Sequence, residues 1–450
     1  MTEATRTVLN SGDTMSQPGE TIWGELTIEN GAIYAVNNVA MLTLTGSTYV
    51  NNSISASGGV LMGTKNTSVL NVDSTHFTNN KEKNDRGAIA NYGYLTVSGS
   101  TFEGNSAQIG SDGSYVSDPS DLGGGAIGIG SGSHVSISDS TFTQNISGKN
   151  RGAIAPRKFY GAYDTDFSDV KLPIPKSTFS GNATGKIISE NPHDYNSVTG
   201  LYDSGNGSAL FNTFNDTVVD LSTFTENSAI NGGAITNFYD KGKTQHFGSI
   251  TITNSEFSNN KAIVDINIDK TFDNGAVYAY IGTLAQDTDS KVVIGNSTFT
   301  GNNAVNDGAI ANRAQLEVSD STFMGNTANG WGGAIDSDAT SKGISVASSV
   351  FKNNHSVYNG GALGSYRGLT ITDFTFKGNM DQLGQSDLRE WNKPVEGPTA
   401  IGGGAIFLGA SLRPALPPSK KRSSRATFLA TMVGQLLRVW GKTSITARRR

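Results

Sequence analysis

The sequence predicts an all-β solenoid, a parallel β-helix of about 11–13 coils with loop insertions, and three observations predict it. An aromatic residue is followed three positions later by Asn at Tyr49/Asn52, Phe77/Asn80, Phe102/Asn105, Phe142/Asn145, Phe179/Asn182, Phe224/Asn227, Phe257/Asn260, Phe299/Asn302, Phe323/Asn326, Phe351/Asn354 and Phe376/Asn379. Gly-Ala-Ile marks interleave with these. GAI stands at Gly31, Gly87, Gly152 and Gly308, and GGAI at Gly124, Gly232, Gly332 and Gly403, with GGV, GSAL, GAV and GGAL at other turns. The third observation is period-two alternation in "YLTVSGSTF", "HVSISDSTF", "SITITNSEF" and "QLEVSDSTF", which end at Phe102, Phe142, Phe257 and Phe323.

Each element follows from its residues. Leu95/Val97, Val135/Ile137, Ile250/Ile252 and Leu316/Val318 share one face of their strands, the face that points to the core. The tightest intervals, Phe77 to Phe102, Phe299 to Phe323 and Phe351 to Phe376, are 25, 24 and 25 residues. A unit of that length holds three short strands and three turns, and coils spaced by about 4.8 Å make a rod on the order of 55 Å long. A Phe at the same place in every coil forms an internal stack. The Asn three residues on sits at a bend, bonds neighbouring backbone, tolerates a left-handed conformation and joins a ladder along the rod. Glycine ahead of Ala-Ile permits a positive-φ turn, and Ile127, Ile235 and Ile335 return to the core. A helical repeat is excluded, because 55 Gly and abundant Asn, Ser and Thr leave almost no window with helical propensity or period.

GGAI alternating with FxxN over about residues 20–409 resembles the chlamydial polymorphic outer membrane proteins and related autotransporter passengers. The opening "VLNSGDTMSQPGETIWGELTIENGAIYAVNN" is similar to the first coils of such passengers. The resemblance implies a right-handed β-helix at the cell surface or secreted, carried to the outer membrane by a C-terminal β-barrel, and acting as an adhesin for a host protein or glycan. The chain departs from this pattern at both ends. No charged start followed by an apolar run reads as a signal peptide, and no series of alternating ten-residue strands after residue 410 reads as the barrel.

Residues 1–410 read as one elongated passenger-like domain, since no Pro-rich or charge-rich linker divides the repeats. Residues 411–450 break its composition. They hold ten of the 34 basic residues and none of the 39 acidic ones, which leaves residues 1–410 with a formal charge of −15. This tail reads as an out-of-frame or disordered continuation. Its alternative is a basic amphipathic surface helix with Phe428, Leu429, Met432, Val433, Leu436 and Leu437 on one face. The acidic body argues against a nucleic-acid partner. Zero Cys excludes disulfides and thiol chemistry.

Insertions are where a regular scaffold carries function. They read as Ser106 to Leu122, Pro156 to Lys176, Thr184 to Gly205, Tyr239 to Phe247, Val264 to Asn274, Gly282 to Ser290 and Met380 to Thr399. Tyr160, Tyr163, Tyr195, Tyr202, Trp391 and Arg389 on them suit sugar stacking or protein contacts. The alternative function is a polysaccharide lyase or glycoside hydrolase on a pectinase-like β-helix, which needs clustered carboxylates. Asp336 with Asp338, Asp287 with Asp289, and Asp164, Asp166 and Asp169 are the candidate groups, without a companion block of His and Arg. "DINID" at Asp265 fails as a calcium loop, having Lys270 in place of Gly and Ala276 at the twelfth position. His76, His134, His193, His246 and His355 are scattered, and Arg86 and Arg151 replace the first turn glycine as surface charges. No catalytic, cofactor-binding or metal residue is assigned, and no cofactor is expected. An unpaired strand edge near Gly403 makes self-association an expectation.

Overall fold

The computed structural model describes residues 41–54, 60–63, 67–82, 87–107, 124–130, 133–148, 152–156, 171–184, 207–212, 216–229, 232–237, 249–262, 291–304, 307–337, 341–357, 360–381 and 405–408, and elsewhere only the backbone of short strands. Every described element is a strand, and strands of successive coils pair in parallel. The chain is a parallel β-helix.

Each coil has four strands, not the three expected. The coil that begins at Gln315 shows the plan: Gln315–Ser319, then Thr322–Met324, Thr327–Ala328 and Ile335–Ser337. Equivalent strands build a long-strand sheet, an aromatic sheet, a short-strand sheet and a Gly-Ala-Ile sheet. The aromatic and short-strand sheets each hold 11 strands. A strand of two residues such as Thr327–Ala328 is too short for alternation to be seen in sequence.

Along the long strands, alternate residues face inward as predicted. Leu95, Val97, Val135, Ile137, Ile250, Ile252, Leu316 and Val318 are all buried. The long-strand sheet breaks once, between His134–Ser138 and Lys171–Pro175. Pro173 and Pro175 lack N–H groups, so the ladder stops there while Leu172 and Ile174 still fill the core. The insertion read as Pro156 to Lys176 is corrected accordingly, because Lys171–Pro175 is a regular coil strand.

The aromatic rings stack from Tyr49 to Phe376 with centroids 4.7–4.9 Å apart, the strand spacing itself. Interplanar angles stay within 0–6° from Tyr49 to Phe351. Tyr49 carries the one hydroxyl in this stack. Its Oη is buried with no hydrogen-bond partner among the described residues, and burial pushes the phenol well above its usual range. Tyr49→Phe should therefore stabilise the rod by about 1 kcal/mol in urea unfolding, since it keeps the ring and removes an unsatisfied polar atom. A loss of stability would mean that the hydroxyl is bonded.

The Asn ladder forms as expected and carries more bonds than a bend requires. Each Asn donates its backbone N–H and its Nδ2 to Oδ1 of the Asn one coil on, as in Asn182 to Asn227 at 3.1 and 2.9 Å and Asn227 to Asn260 at 3.0 and 2.9 Å. Its Nδ2 also donates back to the aromatic residue's carbonyl one coil earlier, Asn227 to Phe179 O at 3.0 Å. One detail is corrected. The left-handed residue is the one before each ladder Asn, as at Asn79, Gln144, Glu226 and Asn353, and the ladder residues stay out of that region.

A second polar ladder runs two residues ahead of the rings. Thr75, Ser100, Ser140, Ser177, Ser222, Ser255, Ser297, Ser321 and Ser349 are buried, and each of these up to Ser321 donates its N–H to the next hydroxyl at 3.0–3.4 Å. The serine hydroxyls up to Ser349 in turn donate to the carbonyl two residues earlier, as Ser100 to Ser98 O at 2.8 Å. Both tight corners are thus closed by side chains that satisfy buried backbone groups.

Candidate ligand-binding face

The four corners of the coil are not equivalent. Between long and aromatic strands, and between aromatic and short strands, two residues intervene in every coil from Met41–Thr45 to Met380–Asp381. The Ser and Asn ladders occupy these corners, and an inserted residue would break them. The two corners that flank the Gly-Ala-Ile sheet vary instead. The link from short strand to Gly-Ala-Ile strand runs from 5 to 25 residues, and the link from that strand to the next long strand from 2 to 14 through Leu369–Thr372. All insertions therefore open on the two borders of one sheet.

Glycine explains why this sheet can pass so close to its neighbours. In the turn before Ile235, Gly232 has φ 61°, which places it in the left-handed region. The second glycine does a different job. A Cβ on Gly152 would collide with the Ser208 carbonyl of the next coil, so Gly152 packs directly on backbone. Behind these turns Ile127, Ile154, Ile235, Ile310 and Ile335 are fully buried, as expected.

The middle residue of a Gly-Ala-Ile strand alternates away from that isoleucine, yet from Ile89–Asn91 onward every one whose burial is described is buried too, while Met62 in the strand before is half-buried. Ala311, Asp336, Gly364 and Phe407 follow one another across four adjacent strands. Asp336 is 7% exposed, and Gly364 makes room for it, since a Cβ there would collide with its Oδ1. Tyr366 lies two residues beyond Gly364. Its N–H donates to Ser337 O at 2.9 Å and its ring meets Phe407 edge-on at 5.5 Å. Burial first, and then the charges of Asp336 and Asp307, push the Tyr366 phenol far up, so it remains a proton-bearing donor.

Asp307 stands at the first glycine place of its turn with φ 54°, and its N–H donates to the Trp331 carbonyl at 3.0 Å. Trp331 is 37% exposed. Coils 307–366 thus place the half-buried Asp307 carboxylate, a protonated phenol and an exposed indole beside one sheet, with the Asp336 carboxylate buried in that sheet. Such groups can accept and donate hydrogen bonds to hydroxyl-rich ligands and stack on an apolar face.

Of the residues singled out from sequence, Asp336 alone belongs to this patch. The strand that holds it ends at Ser337, and Asp338 lies outside the described residues, as do Asp164, Asp166, Asp169, Asp265, Asp287, Asp289, Arg86, Arg151, His193, His246, Tyr160, Tyr163, Arg389 and Trp391. Tyr195 and Tyr202 are backbone partners in an antiparallel hairpin, Tyr195–Asn196 with Leu201–Tyr202, inside the longest insertion. The described histidines sit on three different sheets, His76 on the aromatic, His134 on the long-strand and His355 on the short-strand sheet. His134 stacks on Tyr94 at 4.8 Å. Among the described residues no group of three or more His, Asp or Glu could hold a metal ion. Sequence reasoning missed Asp307, Trp331 and Tyr366. The available signal was positional: Asp307 replaces a turn glycine, and Trp331 immediately precedes a GGAI.

One alternative for the tail, an amphipathic helix that includes Phe428 and Leu429, is corrected. Arg425–Leu429 pairs in parallel with Leu369–Thr372, and Phe428 and Leu429 lie on this strand, not on an amphipathic helix.

Residues 320–338 match the Chlamydia polymorphic membrane protein repeat. No curated protein and no solved structure matches the chain. The matched stretch begins at the left-handed corner residue Asp320, passes Ser321, Phe323 and Asn326 and ends just after Gly332, Gly333 and Ile335. It is one pass through both ladders and into the Gly-Ala-Ile sheet, and it includes the buried Ser321, Phe323, Asn326, Gly333 and Ile335.

Proposed function

We propose that this chain, which carries the Chlamydia polymorphic membrane protein repeat, is the surface-displayed or secreted passenger of an autotransporter-type protein and acts as an adhesin for a host protein or glycan. The observation that carries the reading is the segregation of insertions. Two corners of the coil never vary in length, and the two that border the Gly-Ala-Ile sheet accept up to 25 and 14 residues. A rigid scaffold that varies only along one face concentrates recognition there. The acidic–aromatic patch of Asp307, Trp331, Asp336 and Tyr366 lies beside this same sheet.

The test is to shorten the insertion at 185–206 to a brief Gly-Ser link, leaving Thr184 and Gly207 in their coils, and to treat the insertions at 108–123 and 263–276 likewise. Binding to host-cell surfaces and to a glycan array is then measured beside urea unfolding. At least one shortened protein should lose binding with stability unchanged within about 0.5 kcal/mol. Binding that survives all three changes, and also survives Trp331→Ala, would overturn the assignment of the face.

The second reading, a polysaccharide lyase or hydrolase, draws on the carboxylates of Asp336 and Asp307 around Tyr366. It requires release of unsaturated or reducing sugars from a polyuronate panel, and loss of that release in Asp336→Asn.

A further inference from the structure

Three of the 11 prolines stand in described strands, Pro156, Pro173 and Pro175. All three fall at one junction, between the coil that starts at His134 and the coil that starts at Lys171.

The hydrogen bonds they cannot make belong to that same junction. The first residue of a long strand donates its N–H to the preceding coil, as Tyr94 to Ser68 O at 2.7 Å and His134 to Gly93 O at 3.0 Å. Alternation gives the third and fifth residues the same direction. Pro173 and Pro175 hold those two places, so both missing donors face the coil of His134. Toward the following coil the strand is regular and pairs with Asp216–Asp220 over all five residues. In a Gly-Ala-Ile strand the first residue donates forward, as Ile154 to Ala209 O at 2.9 Å, and the third shares its direction. Pro156 is that third residue, so its missing donor faces the coil of Lys171.

Two sheets are weakened together. The long-strand sheet ends here, although its strands still lie side by side, with Asp139 N–H donating to Pro175 O at 3.2 Å. The Gly-Ala-Ile sheet keeps a single aligned pair, Ile154 with Leu210, against three in the pairings on either side. The other two sheets cross the junction unbroken. Thr141–Thr143 pairs with Thr178–Ser180, and Ile146–Ser147 with Ala183–Thr184, over every residue. Phe142 stacks on Phe179 at 4.8 Å, and Asn145 makes both ladder bonds to Asn182 at 3.0 Å. At the corner between weakened and intact sheets, Ser140 N–H reaches Ser177 Oγ at 3.4 Å, the longest step of the serine ladder among the described residues.

We propose that this junction is a hinge. The coils up to Pro156 and those from Lys171 onward turn about the aromatic and short-strand sheets, and the rod opens on the side of the long-strand and Gly-Ala-Ile sheets. The structure is the closed state, with Val135, Ile137, Leu172 and Ile174 buried at the seam. Opening starts here because three ladder bonds of a regular junction are absent on one side only. The insertions that border the Gly-Ala-Ile sheet then belong to two bodies whose spacing changes with the angle, and a ligand that touches both fixes that angle.

Hydrogen exchange of the full chain, read on short peptides, tests the proposal. In residues 134–139 every second N–H faces the seam, and these should exchange about tenfold faster than their equivalents in 216–221 and 291–296. Residues 178–184, on the hinge side of the same junction, should exchange no faster than 223–229, since Thr178 and Ala183 N–H stay bonded to Ser140 O and Asn145 O at 2.9 and 3.0 Å. Pro173→Thr combined with Pro175→Thr returns two donors at half-buried outward positions that suit β-branched residues, and should remove most of the excess exchange in 134–139. Exchange of 134–139 equal to that of its equivalents in the parent, exchange of 178–184 as fast as that of 134–139, or a folded double variant with 134–139 as fast as before would each overturn the hinge.

Discussion

Phe224→Ala should lower the stability of the rod by roughly 3 to 5 kcal/mol, measured by urea unfolding of the full chain. Phe224 is fully buried, with Phe179 and Phe257 each 4.7 Å away at 6° and 0°. Truncation removes two stacked pairs and leaves a void bounded by rings whose strands are tied to their own coils. Neighbouring side chains cannot collapse into it, because strand spacing fixes the height of every ring. Phe224→Leu should recover part of the loss, since it refills volume without restoring the stack. A cost below about 1 kcal/mol for Phe224→Ala would show that the aromatic column is not a continuous core.

Asn227→Ala should cost a similar amount, about 3 to 5 kcal/mol, by a different route. The side chain is fully buried and takes part in four bonds: two accepted from Asn182, one donated to Asn260 and one donated to Phe179 O. Alanine leaves the N–H and Nδ2 of Asn182 and the carbonyl of Phe179 facing a site that no water fills without opening the corner. The penalty is that of stranded buried polar groups, which exceeds the net worth of the bonds themselves. Asn227→Asp should also be costly at neutral pH. It keeps the acceptor, but it buries a charge and loses both Nδ2 donations.

These two substitutions also separate what sequence made legible from what it did not. Stacking forces identical residue types to recur at one register, so Phe224, Asn227 and Ile235 announced the core, one corner and the return strand. Ser222 plays a part equal to that of Asn227 but stayed hidden, because Ser is common throughout and "DLSTF" reads as one continuous strand. The fourth strand of each coil was invisible for want of length, Lys261–Ala262 being two residues. Lys171–Pro175 was hidden by its prolines, which argue against a strand wherever both neighbours must be bonded. In the structure they mark the place where one sheet ends and another begins.

The candidate face was legible only in outline. Insertion lengths could be read from the sequence, but not that all of them border a single sheet, since that depends on which corners the two ladders lock. Asp336 was chosen for its spacing to Asp338, whereas its place on the face comes from Gly364 beneath it and Tyr366 beside it. Those relations join residues of different coils, and within one coil nothing distinguishes Tyr366 from any other tyrosine near a strand end.

The central claim is that the Phe-Asn-Gly alternation is a structural code whose outward neighbours are free to vary. It is tested most directly by comparing the unfolding free energies of Asn227→Ala and Thr223→Ala, four residues apart in one coil. Thr223 begins the strand that carries Phe224 and points outward, half exposed. The ladder predicts a loss of about 3 to 5 kcal/mol for Asn227→Ala and a change within about 0.5 kcal/mol for Thr223→Ala. Equal losses at the two positions would contradict it.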